Sequence, residues 1–290
     1  FAQTHKKGLS HRYPEIKEGG HTLHSLLKDT CKTLKVSQGQ PDWKAYVDFV
    51  NNTVVEGLAS VVSLSLQALC DELDPEEIES NKKLPLLELE LTLVDKNVIF
   101  LPDMFETAKH DGIRDVVDGW IDSFYHVSTI FKRLDTNTGT YLKELQGDIN
   151  LCSQLARVVD HLHDNEGKMV EFRSSYEAYS YLWTTDLTAY FEEFVADATV
   201  SVTESGNAIL DLSKFETAIN KYKKVQVEVN ELETPRDIGW LRVNSMPIKQ
   251  ALGTWATKWM YLHTQHLVEN VENRLGQLSK EVSRIDAGLD

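Results

Sequence analysis

From Phe172 to Phe194, seven large side chains (Phe172, Tyr176, Tyr179, Trp183, Leu187, Tyr190 and Phe194) return at steps of three and four residues. That spacing puts them on one side of an α-helix, whereas a strand would need an apolar residue at every second position. The pattern predicts a heptad-like seam lined mostly with aromatics, and aromatics at this spacing are core because each ring buries a large area. No convergent polar groups accompany the rings, so the stripe does not read as a cofactor box.

The same stepping recurs along the chain. Trp43, Val47, Val50, Val54, Leu58 and Val61 predict a helix from Pro41, which suits a helix entry, to about Cys70. Ile113, Val117, Trp120, Phe124, Val127, Phe131 and Leu134 predict another, broken by "DTNTGT". Cys152, Leu155, Val159, Leu162 and Met169 carry a further stripe, and Leu212, Phe215, Ile219, Tyr222, Val229 and Leu232 one more. Gly206 and its polar neighbours mark a loop between them. The last helix is expected from near Pro247 towards Ile285. Only "PLLELELTLVDKNVIFLP" alternates: Leu87, Leu89, Leu91 and Leu93 fall between Glu88, Glu90 and Thr92, which predicts a hairpin with its turn at "VDKN" and one apolar face laid on a helix. Residues 1–20, with Pro14 and Gly19-Gly20, read as irregular connector, followed by a short helix from His21 to Val36. The expected fold is therefore mainly α: elongated antiparallel helical bundles with one small β-hairpin. Its parts are a connector and short helix (1–40), a helix plus hairpin (41–102), a helical bundle (103–235), and an extended break with a long helix (236–290).

Composition excludes several function classes. The formal charge is -15 over 290 residues, which argues against a dedicated nucleic-acid binder, though it leaves room for a small local basic patch. Hydrophobic residues at 41% and charged residues at 26% suit a folded globular chain. The most apolar run, "VVEGLASVVSLSLQALC", is interrupted by Glu56 and serines, so no membrane span is expected. Cys31, Cys70 and Cys152 are too few and too scattered for a disulfide framework or a zinc site, and read as small buried hydrophobes. "NNT" at Asn51 sits inside a helical pattern and reads as a chance match to a glycosylation acceptor.

No reactive constellation stands out, and no catalytic, cofactor-binding or metal-binding residue is assigned. "NEGKMV" lacks the upstream glycine of a phosphate-cradling loop, and Met169 takes the place of the metal-binding hydroxyl. Of the histidine pairs, His21/His24 and His263/His266 have same-face spacing on a helix, while His161/His163 does not. Neither same-face pair has a third ligand, so all are expected to be partly exposed surface histidines. Glu76, Glu77 and Glu79 favour a helix N-terminus without any catalytic role, and "FEEF" and "VEVNELE" are solvated helix faces.

One stretch says more. "GWLRVNSMPIKQALGTWATKWMYLHTQHLVENVENRLGQL" resembles the stem of axonemal dynein heavy chains just before the linker. Gly239, Trp240, Val243, Pro247, Lys249, Leu252, Trp259, Gln265, His266, Leu267, Val271 and Leu275 match that family's pattern. Asn244 stands where the family usually has Asp, and Ser245-Met246 replaces a pair that includes Arg. "PDWKAYVDFVNNTVVEGL", "VVDGWIDSFYHVSTIFKRL" and "YEAYSYLWTTDLTAYFEEF" follow the family's order, which looks most like the outer-arm chains; the similarity covers residues 40 to 280. The resemblance implies a non-catalytic stem segment of an ATP-driven microtubule motor of cilia or flagella, with ATP and Mg bound elsewhere, in an AAA+ ring. It implies as partners other heavy chains, intermediate and light chains, and docking components on the doublet microtubule. From the residues alone, a free-standing spectrin-like or tethering scaffold is the alternative. Within residues 237–252 an extended break pinned by Trp240 and Val243 is expected, ending at Pro247, which stands in the first turn of the helix that follows.

Overall fold

The computed structural model describes residues 2–104, 111–136, 138–202, 206 and 208–289. The fold is mainly α, with 72% of the described residues helical. Along the chain run α1 (Ala2–Thr33), α2 (Pro41–Leu73), α3 (Pro75–Asn81), β1 (Leu87–Val94), β2 (Asn97–Leu101), α4 (Ile113–Tyr125), α5 (Leu142–Gln146) and α6 (Ile149–Glu177). Then come α7 (Tyr181–Thr184), α8 (Leu187–Ala198), β3 (Thr199–Val202), β4 (Ala208–Leu210), α9 (Leu212–Glu231), β5 (Arg236–Ile238), β6 (Leu241–Asn244) and α10 (Met246–Leu289). Residue 137, in the first expected loop, and residues 203–205 and 207, in the second, lie outside the described residues.

The expected hairpin forms, with Leu91 opposite Phe100, Leu93 opposite Val98, and Val94 opposite Asn97. Residues directly opposite share a face, and Leu89, Leu91, Val98 and Phe100 are buried on it. Asp95 and Lys96 both have positive φ, the combination a two-residue hairpin turn requires. The sheet is larger than the sequence suggested. It has four strands in the order β2-β1-β6-β5, and β3 and β4 make a second, separate hairpin.

The chain divides into two compact units. The first comprises residues 1–88, 102–169 and 237–242. Here α2 packs against α4 and α5. By length and composition α2 is apolar enough to cross a membrane, contrary to the reading of its serines and Glu56, yet Val62, Leu66, Leu69 and Cys70 along one face are fully buried in the fold. Asn51 of α2 is buried too: its Oδ1 accepts from Tyr141 Oη at 2.8 Å and from Leu134 N at 3.3 Å, which pins the loop after α4. Arg133 braces the same loop, bonding Asp135 at 2.9 Å, pairing with Glu144 and lying over the Tyr141 ring. The guanidinium holds the Asp135 carboxyl below its ordinary range.

Three expectations for this unit are corrected. Residues 2–20 are helical and part of α1, not irregular connector. Tertiary contacts hold them: Gly20 sits so close to Phe131 that an added Cβ would overlap the ring, Tyr13 Oη donates to Ser123 O, and His24 Nε2 bonds Lys132 O at 3.0 Å. The helix expected to reach Leu134 ends at Tyr125 and gives way to a single 3₁₀ turn, His126–Thr129. There the Ser128 and Thr129 hydroxyls take the carbonyls of Tyr125 and His126, local bonds that compete with α-helix. Cys31 and Cys70 are buried as expected, but Cys152 is exposed.

The second unit comprises residues 89–101, 170–236 and 243–290. Its frame is α9 packed along α10, with α7 also against α10. The aromatic seam is not one helix. Phe172 and Tyr176 lie on α6, Tyr179 in the turn after it, Trp183 on α7, and Leu187, Tyr190 and Phe194 on α8, which Asp186 starts by accepting from the N–H groups of Thr188 and Ala189. Tyr176 and Trp183 are buried, and Trp183 Nε1 donates to Lys96 O at 2.9 Å, but Tyr190 is exposed at its edge. Asp211 caps α9 in the same way as Asp186 caps α8.

Candidate functional site

The break before α10 is a tight hairpin, β5 and β6, turned at Gly239 and Trp240. Gly239 has φ +57°, a left-handed conformation that side chains disfavour, and an added Cβ would run into the buried amide of Asn165. Trp240 and Leu241 are buried. Trp240 O accepts from Leu86 N at 2.8 Å. Across the hairpin the Arg242 guanidinium clasps the Asp237 carboxylate with two bonds, of 2.7 and 2.9 Å, and draws its pKa down. These contacts all lie within the first unit.

The chain that follows is held in the second unit. Val243 is buried, and Asn244 Oδ1 accepts from Met246 N at 3.1 Å as α10 opens. Pro247 is the second residue of the helix, where its missing N–H leaves no hydrogen bond unmade. Lys249 Nζ donates to Asn230 O at 3.1 Å and to Leu232 O, so a cation closes the carbonyl end of α9. Trp240, Val243 and Pro247 thus stand where the sequence placed them. Sequence reasoning missed Asn165 and the capping role of Lys249. Asn165 has no local signal, but Lys249 follows a helix start at the spacing of the first turn and was already part of the family pattern.

Beyond the break, α10 carries an aromatic core. The Trp259 ring stacks on Tyr222 with centroids 5.2 Å apart and meets Tyr190 edge-on at 5.1 Å, and its Nε1 donates to Leu182 O at 2.8 Å. His263, expected on the surface, is fully buried among Phe191, Phe194, Phe215 and Tyr222. Its Nδ1 faces Trp259 O at 2.7 Å and must donate there, which leaves Nε2 as the bare nitrogen of a neutral ring. His266 is half-buried and stacks on Phe215.

Burial pushes the His263 pKa down, and a charged His266 beside it pushes the same way. The unfolded chain therefore binds the proton more readily than the folded one. The stability His263 contributes as a neutral ring is complete above about pH 6.5 and is lost as pH falls below it, by up to about 1.4 kcal/mol per unit. The depressed carboxylates Asp135, Asp211 and Asp237 titrate lower still and leave this window clear. Urea midpoints should drop from pH 7.5 to pH 5.5, and His263→Phe should flatten that drop. An equal drop in the variant would show that another group is responsible.

The other candidate residues are dispersed. His21 and His24 lie on α1, His161 and His163 on α6, and no cluster of three metal-ligating side chains occurs among the described residues. Residues 165–170, the string nearest a phosphate loop, are helical inside α6, so their backbone N–H groups serve the helix. Asp74 caps α3, accepting from Glu76 N at 2.9 Å, with Glu76 and Glu77 in the first turn. At the break the described side chains brace the turn and the start of α10.

No family model matches the chain. Curated relatives match it along nearly its whole length. The dynein beta chain of the flagellar outer arm of Chlamydomonas reinhardtii is 33% identical over 97% of the chain. The ciliary dynein beta chain of Tripneustes gratilla is 29% identical over 97%, and dynein axonemal heavy chain 11 of Sus scrofa is 25% identical over 96%. The chain spans about 6% of the length of each.

Proposed function

Because the chain is homologous to a segment of the axonemal dynein heavy chains, we propose that it is a stem segment of such a motor, acting in ciliary or flagellar axonemes. In this reading it is non-catalytic and transmits force, while ATP and Mg act in a ring elsewhere in the heavy chain. Its partners are other heavy chains, intermediate and light chains, and docking components on the doublet microtubule. The alignment along nearly the whole chain is the observation that carries the proposal, since a free-standing scaffold would have no reason to match one short stretch of a motor from end to end. The braced hairpin adds a mechanical role. Trp240 and the Asp237–Arg242 clasp on one side, and Pro247 and Lys249 on the other, hold the path of the chain into α10.

The test is a full-length heavy chain carrying Trp240→Ala with Pro247→Gly. One change removes an anchoring ring, and the other frees a fixed φ. With native helicity confirmed by circular dichroism, ATP turnover should stay unchanged while stall force on a tail-fixed surface falls, because part of the stroke is absorbed at the loosened hairpin. Undiminished force from the folded variant would remove the mechanical role. Lost turnover would place the segment in the motor's chemistry.

A further inference from the structure

The His263 ring of α10 is packed by rings from two helices. Phe191 and Phe194 of α8 lie 5.2 and 4.7 Å away between centroids, and Phe215 and Tyr222 of α9 lie 6.2 and 5.7 Å away. Nδ1 is committed to Trp259 O, and Nε2 has no hydrogen-bond partner among the described residues. A proton added at Nε2 therefore makes a buried cation whose new N–H finds no acceptor. The titratable groups that face the ring supply no counter-charge. They are Tyr222 of α9, whose hydroxyl burial keeps protonated, and His266 of α10, whose charge repels. Glu192, Glu193 and Asp197 of α8 and Glu216 of α9 stand exposed, and Lys214 of α9 is tied to Asp197 at 2.8 Å.

The layer that covers the ring is held more lightly than its base. Among the described residues of α8, Ala198 alone is buried, and Phe191, Phe194 and Val195 are only partly so. The polar ties of this layer are the exposed Lys214–Asp197 pair and a bond from Asn270 Nδ2 to Ala208 O at 3.1 Å. By contrast, α9 and α10 stay joined away from His263. Val225, Val229, Ile248, Leu252 and Ala256 are buried there, Gln226 Nε2 donates to Thr257 Oγ1 at 2.7 Å, and Lys249 closes the end of α9.

We propose that protonation of His263 lifts α8 and the β3–β4 hairpin off the α9–α10 pair, as an acid-operated flap. Opening gives the charge its solvation and gives Nε2–H water to donate to, both of which the closed cage denies. Moving α9 would break the longer apolar contact, and unwinding α10 would break the helix that carries the ring, so the lightest layer yields first. Lifting α8 uncovers Trp259 and Phe215, which Tyr190 and Phe194 otherwise cover. The open form takes up the proton near the ordinary imidazole value of 6.5, and the closed form resists it. Each pH unit below that value favours opening by up to about tenfold, and above it the flap stays shut. The flap does not depend on the stem reading.

The experiment is hydrogen–deuterium exchange of the purified 290-residue chain at pH 7.5 and pH 5.5, read peptide by peptide as protection factors, which remove the chemical pH dependence of exchange. Protection across α8, β3 and β4 should fall about tenfold at pH 5.5, while peptides covering Tyr222–Val229 and Ile248–Ala256 keep theirs. His263→Phe, with native helicity confirmed by circular dichroism, should abolish the fall, and His266→Gln should leave it in place. Equal protection of α8 at both pH values overturns the proposal, as does a loss spread equally over α9 and α10. A fall that survives His263→Phe, or that vanishes in His266→Gln, assigns the trigger to another group and overturns it too. If the phenylalanine variant is misfolded, the contrast between α8 and the α9–α10 pair in the parent chain still decides.

Discussion

Trp259→Ala should lower the unfolding free energy by about 3 to 5 kcal/mol, the range for truncating a large core aromatic. Trp259 is 1% exposed and holds three things at once. Its ring stacks on Tyr222 of α9 and stands nearly perpendicular to Tyr190 of α8, and its N–H ties Leu182 O of α7. Removing it opens a cavity and leaves a carbonyl without its donor, and the surrounding helices can close only part of the gap. The comparison is Glu193→Ala, an exposed change expected to lie within about 0.5 kcal/mol of the parent. Urea melts followed by circular dichroism give both values. Equal midpoints would mean that α8 and α9 are held by something other than this ring.

Gly239→Ala should cost about 2 to 4 kcal/mol, as the sum of a backbone part and a packing part. The left-handed φ at this position accounts for about 1 kcal/mol when the residue has a Cβ. The remaining cost, about 1 to 3 kcal/mol, comes from overlap with the buried Asn165 amide. The two parts separate in a double-mutant cycle with Asn165→Ala. With the amide gone, the overlap vanishes and only the φ cost remains, so the double variant should be more stable than the sum of the singles by at least about 1 kcal/mol. Strict additivity would show that the turn is strained by its backbone alone and that Asn165 plays no part in shaping the break.

Much of the fold was legible in local pattern. The alternation from Leu87 to Leu93 gave a strand because period two can bury only one face of a sheet, and "VDKN" gave its turn. The stripe from Trp43 to Val61 gave α2, and the stripe from Leu212 to Val229 gave α9. At the break, the Trp-x-x-Val spacing and the proline were enough to place an extended turn before a helix, because Pro247 fixes φ and tolerates the first turn whatever surrounds it. Two aspartates carried signals that the apolar stripes obscured. Asp186 and Asp211 each cap the helix that follows, and Asp186 in "TTDLTAY" is the local reason α8 starts anew within the aromatic seam.

The sequence by itself determined which segments are helical and which alternate, the apolar face of most of them, and the kinship with a motor's heavy chain. Those properties depend on residues within a turn or two of one another, or on the order of motifs along the chain. Only the tertiary structure decided the rest. Residues 2–20 are helix despite Pro14, Gly19 and Gly20, because Phe131, more than a hundred positions away, packs on Gly20 where any Cβ would collide. Two short strands near Trp240 completed a sheet with a hairpin that lies about 150 residues earlier, since strand pairing is satisfied by a neighbour in space and leaves no trace in local periodicity. His263 and His266 sit on one helix at the same spacing as His21 and His24. One of the four is buried neutral because rings from α8 and α9 close over it, and periodicity shows a face without showing what will cover it.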